Sequence, residues 1–318
     1  MRILTLLAGL VLTMTSFYSL AQESVDKTLD VTAGTRVYLN NERGNLEVIT
    51  HKKDQVRLVG TLDEKAEDLV FEVRSNGVRI DVRTPEQKGW GSDNSSGSDL
   101  TLYMPESSLL KVDSVSMNIN ASNLMGGIDV TSVSGDINLA GAEQQILLKT
   151  VSGNIATSEL AGDVTIETVS GDIEDFDNKS PEGKYQAVSG DVTIRSSKLR
   201  VFELQNVSGK VSLELPVVDR VLLKNVSGDV EVLMGLSENA RVEASSVSGD
   251  LNIRLNDQIN ASFAVNSSAG GDIINGLTDA VAEQSRWGAS ASLEFPVGTG
   301  AAEVKLRTVS GTVEIKQD

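Results

Sequence analysis

Short stretches of alternating apolar and polar residues, separated by glycine-containing corners, run through most of this chain. In one of them, residues 164–173 (VTIETVSGDI), β-branched residues alternate with polar ones on both sides of a Ser-Gly-Asp corner. Alternation with a period of two predicts half-buried β-strands, and glycine supplies the backbone freedom that a corner needs. The pattern therefore predicts an all-β protein built from short strands.

The corner recurs at a nearly constant interval. Val-Ser-Gly begins at positions 133, 151, 169, 188, 207, 226 and 247, and again at position 309. Degenerate copies begin at Val115 and Ser268, and residues 43–48 have the pattern of an early coil. A nearly fixed period of this length indicates a repeat architecture in which each unit stacks on its neighbours.

The aligned repeats form uniform columns. Three residues before each valine stands an apolar residue, the next residue is polar, and the apolar pattern resumes two residues after each glycine. A meander of hairpins would make every second repeat look different, whereas these repeats are alike. We therefore expect one parallel β-solenoid domain with about 18–21 residues per coil, stacked in chain order about 4.8 Å apart. The absence of a six-residue period favours a right-handed coil. The predicted structural corners are Gly135, Gly153, Gly171, Gly190, Gly209, Gly228, Gly249 and Gly311.

The N-terminal segment, residues 1–21, has a different pattern. A basic start (Met1, Arg2), an apolar run and a small-x-small end at Ser19 to Ala21 are typical of a cleaved secretory signal peptide. An uncleaved N-terminal anchor is the alternative. The mature chain has no second apolar segment of spanning length. We expect an exported protein without a transmembrane segment, located in the periplasm or outside the cell.

The repeat is less regular at both ends of the mature chain. Residues 22–105 are predicted to form an N-terminal cap and the first coils, with a Gly/Ser-rich loop at 86–99 in which Trp90 is a possible contact residue. Residues 106–318 are predicted to form the regular solenoid and a C-terminal cap. Between the degenerate copy at Ser268 and the last corner, two periods away, we expect one coil that has lost its signature.

Composition narrows the chemistry. The chain has 28 Lys+Arg against 45 Asp+Glu and a formal net charge of −17, which disfavours nucleic acid as a partner. It has no cysteine, so thiolate chemistry and cysteine zinc sites are excluded. The only histidine, His51, is followed by two lysines in an apparent turn, and a Ser-His-Asp triad would have to use it. We expect no enzyme activity and no cofactor.

The residue after each corner glycine is usually acidic. If these side chains stack about 4.8 Å apart, neighbouring carboxylates repel by about 1 kcal/mol in water. Full exposure would relieve this repulsion, helped by the interruptions at Asn154 and Lys210, and we favour exposed corner aspartates. Calcium bridging between coils is the alternative. The weak calcium candidates are Asp172, Asp191, Asp229 and Asp250.

Three stretches resemble the toastrack domains, a bacterial adhesin-like family of β-strand-repeat proteins of unknown function. Residues 37–48 are similar to the first coil of that family, residues 100–105 to its strand-then-proline step, and residues 306–313 to its closing coil. The resemblance covers most of residues 31–316. It implies an exported or membrane-tethered β-solenoid linked to the cell envelope and its stress responses, and it carries over no catalytic residue.

These observations predict a non-enzymatic envelope protein, adhesin-like or related to envelope stress, that presents a repetitive surface to an envelope protein or a glycan. One alternative is a β-helix enzyme acting on polysaccharide, with Asp172 and Asp191 near Lys210 as candidate groups. Aromatic residues make up only 4% of the chain, which leaves few platforms for sugar stacking. The other alternative is a purely structural spacer.

Overall fold

A computed structural model of the protein describes residues 22–85, 96–256, 258–286 and 288–318. The predicted signal peptide, most of the predicted 86–99 loop including Trp90, and Trp287 lie outside the described residues. Within the described ranges the regular elements are all β-strands.

The strands fall into three groups along the chain. The N-terminal group is β1 (Ser24–Asp30), β2 (Val37–His51), β3 (Gln55–Thr61), β4 (Asp68–Arg74), β5 (Gly77–Arg83) and β6 (Ser98–Pro105). The central group is β7 (Leu110–Leu124), β8 (Ile128–Ser134), β9 (Ile137–Ser152), β10 (Ile155–Ser170), β11 (Ile173–Asn178), β12 (Glu182–Ser189), β13 (Val192–Ser196), β14 (Val201–Ser208), β15 (Val211–Ser227), β16 (Val230–Ser248) and β17 (Leu251–Leu255). The C-terminal group is β18 (Ala261–Ser267), β19 (Ile273–Asn275), β20 (Glu283–Gln284), β21 (Ala291–Val297), β22 (Ala302–Ser310) and β23 (Val313–Gln317).

Each coil of the central group contributes one strand segment before its corner and one after it. Segments before the corner pair in parallel with each other, and so do segments after it, so two ladders run along the molecule. The pairing offset equals the sequence period, since Ser152 lies opposite Ser170, and Ser170 opposite Ser189. The predicted parallel β-solenoid is confirmed. Its right-handed sense stays a prediction.

The core lies between the two ladders. The apolar column before the corners is almost fully buried, and so is the column after them, and both belong to one continuous cluster. The column before the corners contains Leu148, Ile166, Tyr185, Leu204, Leu223 and Leu306. The column after them contains Ile137, Ile155, Ile173, Val192, Val211, Val230 and Leu251. Each side chain packs on its counterpart in the next coil, which explains why the columns are uniform in sequence.

The coils at the two ends do not stack in chain order, and the expectation that they would is wrong there. The early coil β2 pairs directly with β7, while β5 and β6 lie on its outer edge. At the other end β22 and β23 pair with β16 and β17, and β18 and β19 lie outside them. The last Val-Ser-Gly coil, formed by β22 and β23, thus stacks directly on the regular coil formed by β16 and β17, whose residues it matches column by column. The degenerate copy comes earlier in the chain but stacks outside the last coil.

The stretch between β19 and β22 does not form the expected coil with a lost signature. It contains β20 and β21, which pair antiparallel with each other, and β21 pairs antiparallel with β18. Antiparallel strands also cover the other end, where β4 pairs with β5, and β3 links β6 to β1. Reversed strands at both ends occupy the edges that would otherwise offer unpaired backbone groups.

The corner glycines let the backbones of successive coils approach closely. Gly190 has φ 142°, and a Cβ added to it would lie well under 3.0 Å from the carbonyl oxygen of Gly171. Gly171 and Gly209 stand in the same relation to the glycines of the coils that precede them. Any side chain at these positions would collide with backbone, which has no room to move within the ladder.

We predict that Gly190→Ala lowers the free energy of unfolding by about 4 kcal/mol, because it adds a backbone collision to the strain of a positive φ. Gly34→Ala is the matched control, since Gly34 has φ 74° and no atom within 4 Å of an added Cβ. The control should cost only about 1–2 kcal/mol. Urea unfolding followed by circular dichroism measures both, and equal losses would mean that close approach is not the constraint.

Candidate functional site

One long edge of the solenoid is formed by the corners, and we call it the corner edge. It consists of the valine, serine and glycine of each corner and the residue that follows. Its segments are 115–118, 133–136, 151–154, 169–172, 188–191, 207–210, 226–229, 247–250 and 309–312.

The valines of the corner edge point outward. Strand alternation fixes this, because the residue just before the valine is buried in eight of the nine corners, as at Thr168 and Asn206. Eight of the nine valines are 42–49% exposed, and Val188 is half-buried. The exposed ones are Val115, Val133, Val151, Val169, Val207, Val226, Val247 and Val309. The corner edge therefore carries an apolar stripe with about 4.8 Å between successive coils.

The acidic column runs beside this stripe and has a structural task. The Oδ1 atom of Asp172 accepts a hydrogen bond from the backbone N–H of Asp191 at 2.8 Å. The Oδ1 atom of Asp191 accepts one from the backbone N–H of Lys210 at 2.7 Å. Asn154 does the same for Asp172 at 2.9 Å. Each of these side chains thus caps a backbone donor of the next coil, which explains why Asp and Asn share the column.

The four calcium candidates lie in this column on the corner edge. Asp229 accepts from the backbone N–H of Asp250 at 3.1 Å, and Asp250 accepts from that of Thr312 at 2.7 Å. Within the described part of the chain, no group of three or more His, Asp or Glu side chains is placed to hold a metal ion. Calcium bridging stays the alternative to exposed corner aspartates, and the geometry accounts for the aspartates without it.

The inner side of most corners carries a buried polar residue. Asn225 donates from Nδ2 to the carbonyl oxygen of Gly228 at 2.7 Å, and Thr308 donates to that of Ser310 at 3.2 Å. The buried hydroxyls of Thr150, Thr168 and Ser246 have no hydrogen-bond partner. These residues serve the turn of the chain and do not reach the outer surface.

A buried carboxyl group that the repeat pattern did not predict lies inside the solenoid. Asp175 on β11 is 0% exposed. It accepts hydrogen bonds from the Tyr185 hydroxyl at 2.5 Å, from Asn178 Nδ2 at 2.6 Å and from Thr157 Oγ1 at 2.9 Å. Burial raises the pKa of Asp175, although the three hydrogen bonds act in the opposite direction. The position of Asp175 could have indicated this in the sequence, because the equivalent residue of the next coil is the apolar Ile194.

The groups considered for polysaccharide chemistry do not converge on a cleft. Asp172, Asp191 and Lys210 follow one another along the corner edge, one per coil. Lys210 Nζ is 3.1 Å from Glu231 Oε1. The arrangement repeats a structural position and does not gather different groups around one bond.

The N-terminal group of strands contains a polar hollow of about 730 Å³. Tyr38, Asn40, Arg79 and Asp113 line it. Arg79 lies 3.0 Å from Asp81, which also accepts a hydrogen bond from Asn40 at 2.9 Å. The two arginines that line the hollow are therefore already paired with carboxylates outside its lining, Arg79 with Asp81 and Arg74 with Glu72.

Comparison with known families assigns the fold. A model of the toastrack family, a domain of unknown function (DUF4097), matches residues 35–316. The chain belongs to the toastrack family. Among curated proteins none matches this toastrack chain. No helix among its described residues is long and apolar enough to cross a membrane.

Solved structures similar to this toastrack chain include two candidate adhesion proteins. One, a candidate cell adhesion protein from Clostridium sporogenes, is 10% identical with a TM-score of 0.23, over 93% of this chain and 100% of its own. The other, a candidate adhesin from Bacteroides fragilis, is 12% identical with a TM-score of 0.35, over 93% of this chain and 98% of its own. Likenesses this distant do not transfer a binding partner.

We predict that Asp191→Ala lowers the free energy of unfolding by about 1 kcal/mol, because the Lys210 N–H loses its acceptor. Asp191→Asn should change it by less than about 0.5 kcal/mol, since Asn154 already fills this role elsewhere in the column. Lys210→Asn should stabilise the protein by about 0.5–1 kcal/mol by adding an acceptor. Urea unfolding tests all three, and an equal loss in Asp191→Asn and Asp191→Ala would contradict the capping role.

The buried carboxyl predicts a specific pH dependence. Because the pKa of Asp175 is raised above its ordinary value of 3.8, its contribution to stability is complete below that value and is lost as the pH rises through the raised pKa. Tyr185→Phe removes a donor that favours the charged form and raises the pKa of Asp175 further. The variant should lose about 1–3 kcal/mol at pH 7 and less at pH 4.

Unfolding of wild type and variant at both pH values measures this difference. Tyr103→Phe is the control, because that side chain is half-exposed and lies outside the Asp175 cluster. If the loss in the Tyr185 variant were the same at pH 4 and pH 7, the carboxyl would not be ionising in the folded protein, and the role assigned to the hydroxyl would be wrong.

Proposed function

We propose that this toastrack protein is an exported, non-enzymatic envelope protein that binds a macromolecule along its solenoid, as an adhesin-like module or as a scaffold in envelope stress. The corner edge is the observation that carries the proposal. It repeats one set of exposed groups in successive coils, and a repeated surface suits a long partner, either a protein or a glycan. Valine side chains kept outside the core for most of a solenoid contribute little to folding and are available for contact.

The proposed location rests on residues 1–21, whose pattern is that of a cleaved leader. Export places the protein in the periplasm or outside the cell. A large continuous core without cysteine suits such a compartment, because a chain of this size does not need disulfides for stability.

Binding is favoured over sugar hydrolysis by the arrangement of the carboxylates. Glycoside cleavage needs two carboxyl groups on opposite sides of one bond. The corner aspartates instead stand in one line, and the Oδ1 atoms of Asp172 and Asp191 are each bonded to backbone of the next coil. A spacer would need no exposed apolar stripe, and this stripe therefore favours a contact surface.

We predict that the purified protein, crosslinked in an envelope fraction of its own cells, retains one specific protein or glycan and releases no sugar fragments. Mass spectrometry and glycan analysis identify what is retained, with and without a calcium chelator. A protein with the same charge but an unrelated fold is the control. Accumulation of sugar fragments would overturn the proposal in favour of an enzyme, and retention of nothing would favour the spacer.

A further inference from the structure

Two parallel stripes of different chemistry run along the corner edge. The valine stripe is apolar, and its polar neighbour is the column that includes Asp136, Asp172, Asp191 and Asp229, all exposed. Between them lie the corner serines and the glycines. The valine stripe ends at Val309, because the residue beside it in the next coil is polar. Ser267 pairs with Thr308, which places Ser268 beside Val309.

The charge of the chain is concentrated in the part that carries this edge. Residues 96–318 contain 16 Lys and Arg against 31 Asp and Glu, whereas residues 22–85 contain 10 against 12. The N-terminal group of strands is close to neutral, and the solenoid is strongly acidic. A partner of the corner edge therefore approaches an apolar ridge within a negative field, which attracts cationic segments and repels acidic ones.

We propose that the corner edge binds a cationic amphipathic α-helix of a partner protein, with the helix axis along the solenoid. Apolar side chains of the helix pack between the valines, and lysines or arginines on the flank of the helix meet the aspartate column. This inference rests on the proposed binding function and names the class of partner.

The spacing of the valines fits a helix. One hole between helical side chains occurs per turn, about every 5.4 Å, and the coils present one valine about every 4.8 Å. Helical turns and coils therefore drift apart by about 0.6 Å per coil, and after about four coils the drift equals half the spacing between coils. A continuous match therefore extends over a helix of about 13–16 residues. Side chains on one face of an extended strand recur about every 6.8 Å, which fits the ridge less well.

The most favourable segment of the corner edge lies between Val151 and Val207. Asp172 and Asp191 occupy its two middle corners, and the neutral Asn154 and the basic Lys210 occupy the corners at its ends. On the other flank of the valines, Glu167 is followed by the neutral Gln186. The segment therefore offers apolar contact beside Asp172, Asp191 and Glu167. The lysines at its ends are already paired, since Lys149 lies 2.9 Å from Glu167 and Lys210 lies 3.1 Å from Glu231.

A second copy of the chain fits this surface poorly. Each copy has a formal net charge of −17, so pairing two corner edges would bring together the most acidic part of each molecule. A cationic helix neutralises the same charges that a second copy would double.

The test uses the full-length gene product, purified after expression, and synthetic 16-residue peptides. The probe peptide has leucine on one helical face and lysine on its flanks. One control peptide has glutamate in place of every lysine, and another has the same composition in scrambled order. Fluorescence anisotropy at low and high salt measures binding. We expect the probe to bind at least tenfold more tightly than either control, with affinity falling as salt rises.

Two sets of substitutions locate the contact. Replacing the valines at 151, 169, 188 and 207 with threonine keeps the branched shape and removes the apolar surface, and should weaken binding at least tenfold. The matched control, Val73→Thr with Val217→Thr and Val281→Thr, changes exposed valines outside the stripe and should leave affinity unchanged. Asp172→Asn with Asp191→Asn keeps the backbone caps, and should weaken binding about three- to tenfold and flatten its salt dependence.

The outcomes separate this inference from the proposed function. If the threonine variant binds the probe as well as wild type does, or if the scrambled peptide binds equally, the inference is wrong. If an envelope partner is retained equally by wild type and by the threonine variant, the proposed function stands and the partner uses another surface. Loss of both probe and envelope partner in the threonine variant, with both kept in the control variant, establishes the corner edge as the site.

Discussion

The close approach of glycine backbones at the corners is the constraint on which the rest of this structure depends. Each corner glycine of the central array lies against the backbone of the preceding coil, where no side chain fits. This contact fixes the separation of the coils and brings like positions into line. The uniform apolar columns, the parallel ladders and the single core between them follow, because a side chain that stacks on its own counterpart finds the same shape in every coil.

The aspartate column also fixes the register between successive coils. A cap from one coil to the backbone of the next is possible only when the two corners are level, so a slip of one residue breaks these bonds as well as the core contacts. The glycine contacts and the aspartate caps together hold the register, and the valines take part in neither of them. The division of the corner edge into an apolar stripe and an acidic column therefore follows from how the solenoid is built. The proposed binding role requires only groups that the fold already exposes.

Much of this could be predicted from the sequence, because periodic patterns report periodic contacts. The solenoid class, the period and the buried columns at positions such as Leu148 and Ile155 follow from repetition alone. The exposure of the valines could also have been predicted. Each valine comes three residues after a buried column, and residues an odd number apart on a strand face opposite sides. The order of coils at the ends could not be predicted, because it depends on which edges of distant segments match best. Finding Asp175 required attention to two polar residues, Thr157 and Asp175, in an otherwise apolar column.

The position of the closing coil has a consequence for how the chain matures. β22 and β23 lie between the last regular coil and the coil formed by β18 and β19. As the polypeptide is made from its N-terminus, the outer edge of β16 and β17 lacks its native partner until residues 302–317 have emerged. This closing segment thus acts as a latch, and the molecule stays open at this end until the segment has been made.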